Sequence, residues 1–154
     1  MVAGLRDMVL GTDPAEIGLS PSSERPDVWG GLLEMGRPGG EWASLVVVGD
    51  GSVSLYFSTG GGTIGAGEHP EVRAAGFRWL SMLQDGLALL PVTEPPGLPG
   101  PDRVVIRALT FGGQRALEAP EDDLGYERLP ASMLFHGAHE VITEIRETQE
   151  RRGR

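Results

Sequence analysis

"SLYFSTGGGTIGAGEHPEVR", residues Ser54 to Arg73, holds a strand, a glycine loop and a helix start in one stretch. Val53, Leu55 and Phe57 alternate with Ser52, Ser54, Tyr56 and Ser58, the period-2 pattern of a strand with one buried face. Five glycines then lie between Gly60 and Gly67. Pro70 suits a first helical position, where its missing N–H would be unpaired anyway. Val72, Ala75, Gly76, Trp79, Leu80, Leu83 and Leu87 follow on one face at helical spacing. The passage therefore carries the chain off a sheet and back across it as a helix.

Upstream, "VWGGLLEM" (Val28 to Met35) and "WASLVVV" (Trp42 to Val48) are apolar runs ending at "GRPGGE" and Gly49-Asp50-Gly51. Asp-Gly between apolar runs is a strong hairpin signal, so both join Ser52–Ser58 in an antiparallel meander. Downstream, "RVVIRALT" (Arg103 to Thr110) and "QRALEA" (Gln114 to Ala119) flank Phe111-Gly112-Gly113 as a further hairpin. Met1 to Leu10 reads as a short helix with Val2, Leu5, Met8 and Val9 on one side. "PEDDLGYERLP" reads as an acidic loop. A last helix starts near Ala131, with Leu134, Ala138, Val141, Ile142 and Ile145 sharing a face. The expected fold is one α+β domain over residues 1–154. It has an antiparallel five-stranded sheet, meander plus hairpin, helices packed on one face, and the order α-βββ-α-ββ-α. Residues 11–27 and 91–102 read as irregular connections, and 147–154 as a frayed tail.

Composition narrows the function. The chain has 154 residues, no cysteine, and a formal charge of −9 from 22 acidic and 13 basic residues, all arginine. Without cysteine there is no disulfide framework, thiolate zinc site or cysteine nucleophile. Without lysine there is no Schiff base and no P-loop lysine. An acidic surface repels phosphate backbones, which argues against nucleic acid as a partner. Arg6 and Asp7 interrupt the apolar N-terminus, and no apolar run approaches the roughly 20 residues that span a bilayer. The expectation is a cytoplasmic protein with no membrane contact.

The glycine loop is the first candidate site. Gly60, Gly62 and Gly65 satisfy G-x-G-x-x-G, and backbone N–H groups at a helix N-terminus can hold an anion. Yet that fingerprint belongs to a parallel βαβ unit, and Glu68 sits where a pyrophosphate would approach. Ala66 stands where a P-loop needs lysine. Glycines also let the chain enter left-handed conformations, and their number exceeds what one turn requires. The reading that follows is a contact surface with Tyr56, Ile64 and His69 as its larger side chains. Ser58, Thr59, Gly60, Gly61, Gly62, Thr63, Gly65, Gly67 and Glu68 complete it.

"VWGGLLEMG" followed by "SLYFSTGGGTIGAGEH" and an amphipathic helix resembles a group of uncharacterised bacterial proteins. These carry a similar strand, triple glycine, Ile-Gly and Gly-Glu-His. The likeness covers roughly Val28 to Leu83 and implies no catalytic residue.

Other side chains offer weaker chemistry. His136 and His139 stand at i, i+3 on the last helix, opposite its apolar stripe, and are expected to face solvent. A metal would need a third ligand, and none is visible. Glu68 and His69 are adjacent, so their side chains should point different ways; His69 reads as the residue that starts a helix. No G-x-S-x-G occurs, and "EDD" (Glu121 to Asp123) lacks calcium-loop spacing. Trp29, Trp42 and Trp79 are expected in the core. The sequence thus points to a non-enzymatic protein-interaction module, an adaptor, chaperone or regulatory subunit. It needs no cofactor, and its partner is a protein, with a homodimer favoured. The glycine loop and a sheet edge are its working surface. The alternative is a small-molecule or nucleotide-binding sensor or enzyme with its ligand at Gly60–His69.

Overall fold

The computed structural model describes residues 2–94 and 96–152, with side chains from Arg6 on. Its strands are β1 (Val28–Gly36), β2 (Trp42–Val48), β3 (Val53–Phe57), β4 (Gly62–Thr63), β5 (Arg103–Thr110) and β6 (Gly113–Pro120). Its helices are α1 (Val2–Leu10), α2 (Pro70–Asp85), α3 (Glu121–Gly125) and α4 (Ser132–Arg152). The strands form one antiparallel sheet in the order β4-β3-β2-β1-β5-β6. The meander and the later hairpin thus join through β1, which pairs with both β2 and β5.

The sheet has six strands where the sequence pattern gave five. The added strand is β4, two residues of the glycine loop that fold back on Leu55 and Tyr56 of β3. A two-residue strand has no periodicity to read, which is why pattern alone misses it. The acidic segment after β6 supplies the short helix α3, with Leu124 buried beneath it.

Every residue of β1 is buried, so its two faces need separate covers. On one face Leu33, Met35, Leu45, Val47, Val104 and Ile106 pack with α2 and α4 into the main core. Trp79 has no exposed surface and donates from Nε1 to the Leu134 carbonyl at 2.9 Å, tying α2 to α4. It comes this close to the sheet because β1 has Gly31 opposite; a Cβ there would lie 3.0 Å from the Trp79 ring. Gly76 does the same for Val47 and Val53.

The other face carries a smaller core of Trp29, Leu32, Val46, Val48, Tyr56 and Leu109. Val9 and Leu10 of α1 and Leu19 of the following connection pack on it. Helices therefore lie on both faces of the sheet, not on one. The physical reason is β1 itself, whose Leu32 and Glu34 point away from α2 and cannot be left to water.

The connection 11–27 contains one 3-10 turn, Pro14–Ile17, capped by Asp13 accepting from the Ala15 N–H at 3.0 Å. The connection 91–102 touches the sheet edge, where Val92 and Ala116 exchange backbone hydrogen bonds of 3.0 and 2.9 Å. The tail is helical through Arg152, and Thr148 is buried, so 147–152 is not frayed. Gly153 and Arg154 lie outside the described residues, as do the side chains of Val2 and Leu5.

Candidate functional site

The glycine loop resolves into four short tasks. Gly60 and Gly61 adopt left-handed conformations (φ 95° and 82°) at the tip of the β3–β4 hairpin. Gly62 lies flat on β3: a Cβ there would come 2.3 Å from the Leu55 carbonyl oxygen. Gly65 turns the chain with φ 77° into a 3-10 turn, Ala66–Glu68. Gly67 is buried against the Asp50–Gly51 turn, where a Cβ would meet the Gly51 oxygen at 1.9 Å. Left-handed backbone and close approach each require glycine here. Their number is explained by the protein's own backbone.

The remaining loop residues do not form one surface. Tyr56 is buried, edge-on to Trp42 with ring centroids 6.1 Å apart. Ser58 accepts from the Trp42 N–H at 2.9 Å and closes the end of β2. Thr59 is exposed at the hairpin tip. Thr63 Oγ1 accepts from Gln149 of α4, which ties the short strand β4 to that helix. His69 occupies the residue before α2, as its position before Pro70 suggested, and its side chain makes no capping hydrogen bond. Its Nε2 lies 3.6 Å from Glu68 Oε1 and 3.5 Å from Arg152 Nη1. Glu68 and His69 thus meet despite being neighbours, because the backbone changes from a 3-10 turn to extended between them.

Ile64 and Gly65 line the wall of a cleft on the α1 face, of about 290 Å3. Trp29, Val46 and Val48 form its floor, and Met8, Val9 and Ile17 its opposite side. Three large apolar side chains around it face water: Ile64 is 70% exposed, Met8 62% and Ile17 40%. Three of its polar side chains bond the protein's own backbone. Asp50 accepts from the Ser52 N–H at 2.9 Å, Ser54 from the Gly65 N–H at 3.4 Å, and Thr12 donates to the Met8 carbonyl at 2.7 Å. What this cleft offers a visitor is apolar contact.

Beside the cleft a polar row crosses the sheet beneath α1. Glu34, Ser44, Tyr56 and Gly62 are successive partners across β1, β2, β3 and β4. Glu34 has no exposed surface. It accepts from Arg107 Nη2 at 2.8 Å, from Arg6 Nη2 at 3.3 Å and from Arg6 Nε, with Ser44 Oγ at 3.4 Å. Arg107 also donates to the Pro96 carbonyl at 2.9 Å. A buried carboxylate needs this much compensation, since desolvating one ion costs several kcal/mol. The Tyr56 hydroxyl is fully enclosed without a hydrogen-bond partner. Burial, and then the Glu34 charge, push it up to about 12.

The sequence pattern singles out Tyr56 and Gly62 but not their alignment with Glu34 and Ser44. The row's one signal was a charge inside an apolar run, Glu34 in "VWGGLLEM" and Arg107 in "RVVIRALT".

His136 and His139 are half-buried instead of solvent-facing; their Nε2 atoms are enclosed without hydrogen bonds, and His136 Nε2 lies 4.0 Å from Glu127 Oε1. His139 stacks edge-on against Phe135 at 4.4 Å. Burial holds its imidazole below the usual histidine range. Among the described residues, no cluster of three or more His, Asp or Glu has metal-site geometry. None of the described helices is long and apolar enough to cross a membrane. Comparison with protein-family models, curated proteins and solved structures finds no match to the chain.

Proposed function

We propose that this protein is a non-enzymatic protein-interaction module and that its working surface is the α1-face cleft. The observation that carries the reading is the ring of exposed Ile64, Met8 and Ile17 around an apolar floor. Large apolar side chains gathered around a concave floor mark a contact site more often than singly scattered ones do. The glycine loop contributes through Ile64 and Gly65. The sheet edges contribute less, because β4 is two residues long and β6 is partly covered at Ala116 by Val92. Edges blunted in this way resist strand addition.

The partner is a protein, with a second copy of this chain the first candidate. A cleft of about 290 Å3 suits one anchoring side chain surrounded by flatter contacts. Light scattering on the wild-type chain and on Ile64→Asp tests this. The wild type should assemble, alone or with a captured protein, and the variant should not.

A second reading rests on the same cavity, which lies at the lower end of small-ligand pocket sizes. In that case an apolar small molecule sits on Trp29, Val46 and Val48. A melting assay with apolar and nucleotide ligands separates the two: a ligand at a hundredfold excess over its Kd stabilises by about 2.7 kcal/mol.

A further inference from the structure

We infer that α1 is an exchangeable segment: the groove it fills accepts the α1 helix of a second copy, with the incoming Arg6 taking the same place on Glu34. The inference rests on the reading of this face as an interface between copies, and concerns the groove beneath α1, whose Met8 and Val9 wall the adjoining cleft.

Three observations lead there. First, α1 is held by a specific charge contact. Arg6, nearly buried, donates to Glu34, whose other cation is Arg107 from the sheet itself. Glu34 thus takes one cation from the sheet and one from α1, so the sheet face carries charge complementary to this helix. Second, the floor under α1 is a preformed apolar bed of Leu32, Val46, Tyr56 and Leu109, ready for the Val9 and Leu10 pair. Third, the connection Gly11–Asp27 contains no fully buried residue; it touches the small core through Leu19 and is tied to α2 only near its end, where Asp27 and Arg25 bond Gln84 and Ser81. The 14 residues before those ties, Gly11–Glu24, can extend by about 45–50 Å. Such a connection lets a helix leave its own sheet and reach a neighbour's without disturbing the main core. Exchange of an identical element re-forms the same contacts between copies and needs no new interface chemistry.

When α1 lies on its own sheet the site is closed, because a tethered helix competes at millimolar effective concentration. When it leaves, it exposes both Glu34 and the apolar floor beside the Ile64 cleft.

The test uses the full chain and a fluorescent peptide of residues 1–12 as the probe. Arg6→Glu keeps the floor intact but repels its own helix from Glu34, so this variant should capture the wild-type peptide at least about tenfold more tightly than the wild-type chain does. A peptide carrying Arg6→Glu should not bind. By light scattering, wild-type chain refolded at high concentration should yield dimers, and Arg6→Glu should stay monomeric. Arg6→Ala repeats both measurements without the added charge should Arg6→Glu fail to fold. Equal peptide binding by all chains, or a wild type that stays monomeric after refolding, overturns the exchange. A dimer lost in Ile64→Asp but unchanged in Arg6→Glu keeps the interface and rejects α1 as its exchanged part.

Discussion

Arg6 of α1 donates to a carboxylate, Glu34, that has no contact with water, and Arg107 grips the same carboxylate from the opposite strand at 2.8 Å. The two arginines are not equivalent. Arg107 is enclosed by the sheet and the 91–102 connection, whereas Arg6 arrives on a helix joined by an unburied stretch. Removing the carboxylate strands Arg107, so Glu34→Ala should cost about 3–5 kcal/mol in a denaturant melt. Arg6→Ala should cost clearly less, because α1 can lift and let water reach Glu34. Equal costs would show that α1 is as fixed as the core.

The Trp79 contact sets the main core. Its indole is fully buried, fills the space over Gly31 and bonds Leu134. Trp79→Ala should therefore lower stability by about 3–5 kcal/mol, read as a lower melting temperature.

The loop glycines should divide by substitution to alanine. Gly62→Ala drives a Cβ into the Leu55 carbonyl at a φ of 129°, so it should unpair β4 and destabilise the protein. Gly60→Ala meets nothing within 4 Å and carries only the left-handed backbone cost, about 1–2 kcal/mol. Chemical denaturation of the two variants checks the order.

Two titrations report on burial. Tyr56 ionises at about 12 in the folded protein, against 10.0 for a free side chain. The unfolded chain loses that proton first, so stability should fall as pH rises from 10 towards 12. Phenolate absorbance in Tyr126→Phe, where Tyr56 is the remaining tyrosine, should rise only at the upper end of that range. His139 moves the other way. Its folded value lies below the ordinary 6.5, so the unfolded chain takes up the proton first and stability should fall as pH drops below about 6.5. His139→Gln should flatten that slope.

Much of this fold can be read from local pattern. The alternation from Val53 to Phe57, the Asp50-Gly51 turn and Pro70 place β3, its hairpin and the start of α2 within a residue of where they lie. What pattern does not carry is which of two faces an element covers. Leu32 and Leu33 look alike in sequence, yet they face different cores, and α1 lands beneath Leu32 because the bed there is otherwise open. The candidate site was legible only in part. Ile64 stands out as a large residue in a loop of small ones, while Tyr56, expected in the contact surface, is buried edge-on to Trp42. Met8, Ile17 and Val46 meet only in three dimensions and leave no joint trace in the chain.

Ile64 gives the most direct measurement, because it is 70% exposed and its replacement should leave folding within about 0.5 kcal/mol. Light scattering of the wild type and of Ile64→Asp, each alone and with any captured protein, should show an assembly in the first and an unassembled chain in the second, at matched melting temperatures. A wild type that stays monomeric and captures nothing, or an assembly indifferent to Ile64→Asp, would contradict the α1-face cleft as the working surface of this protein.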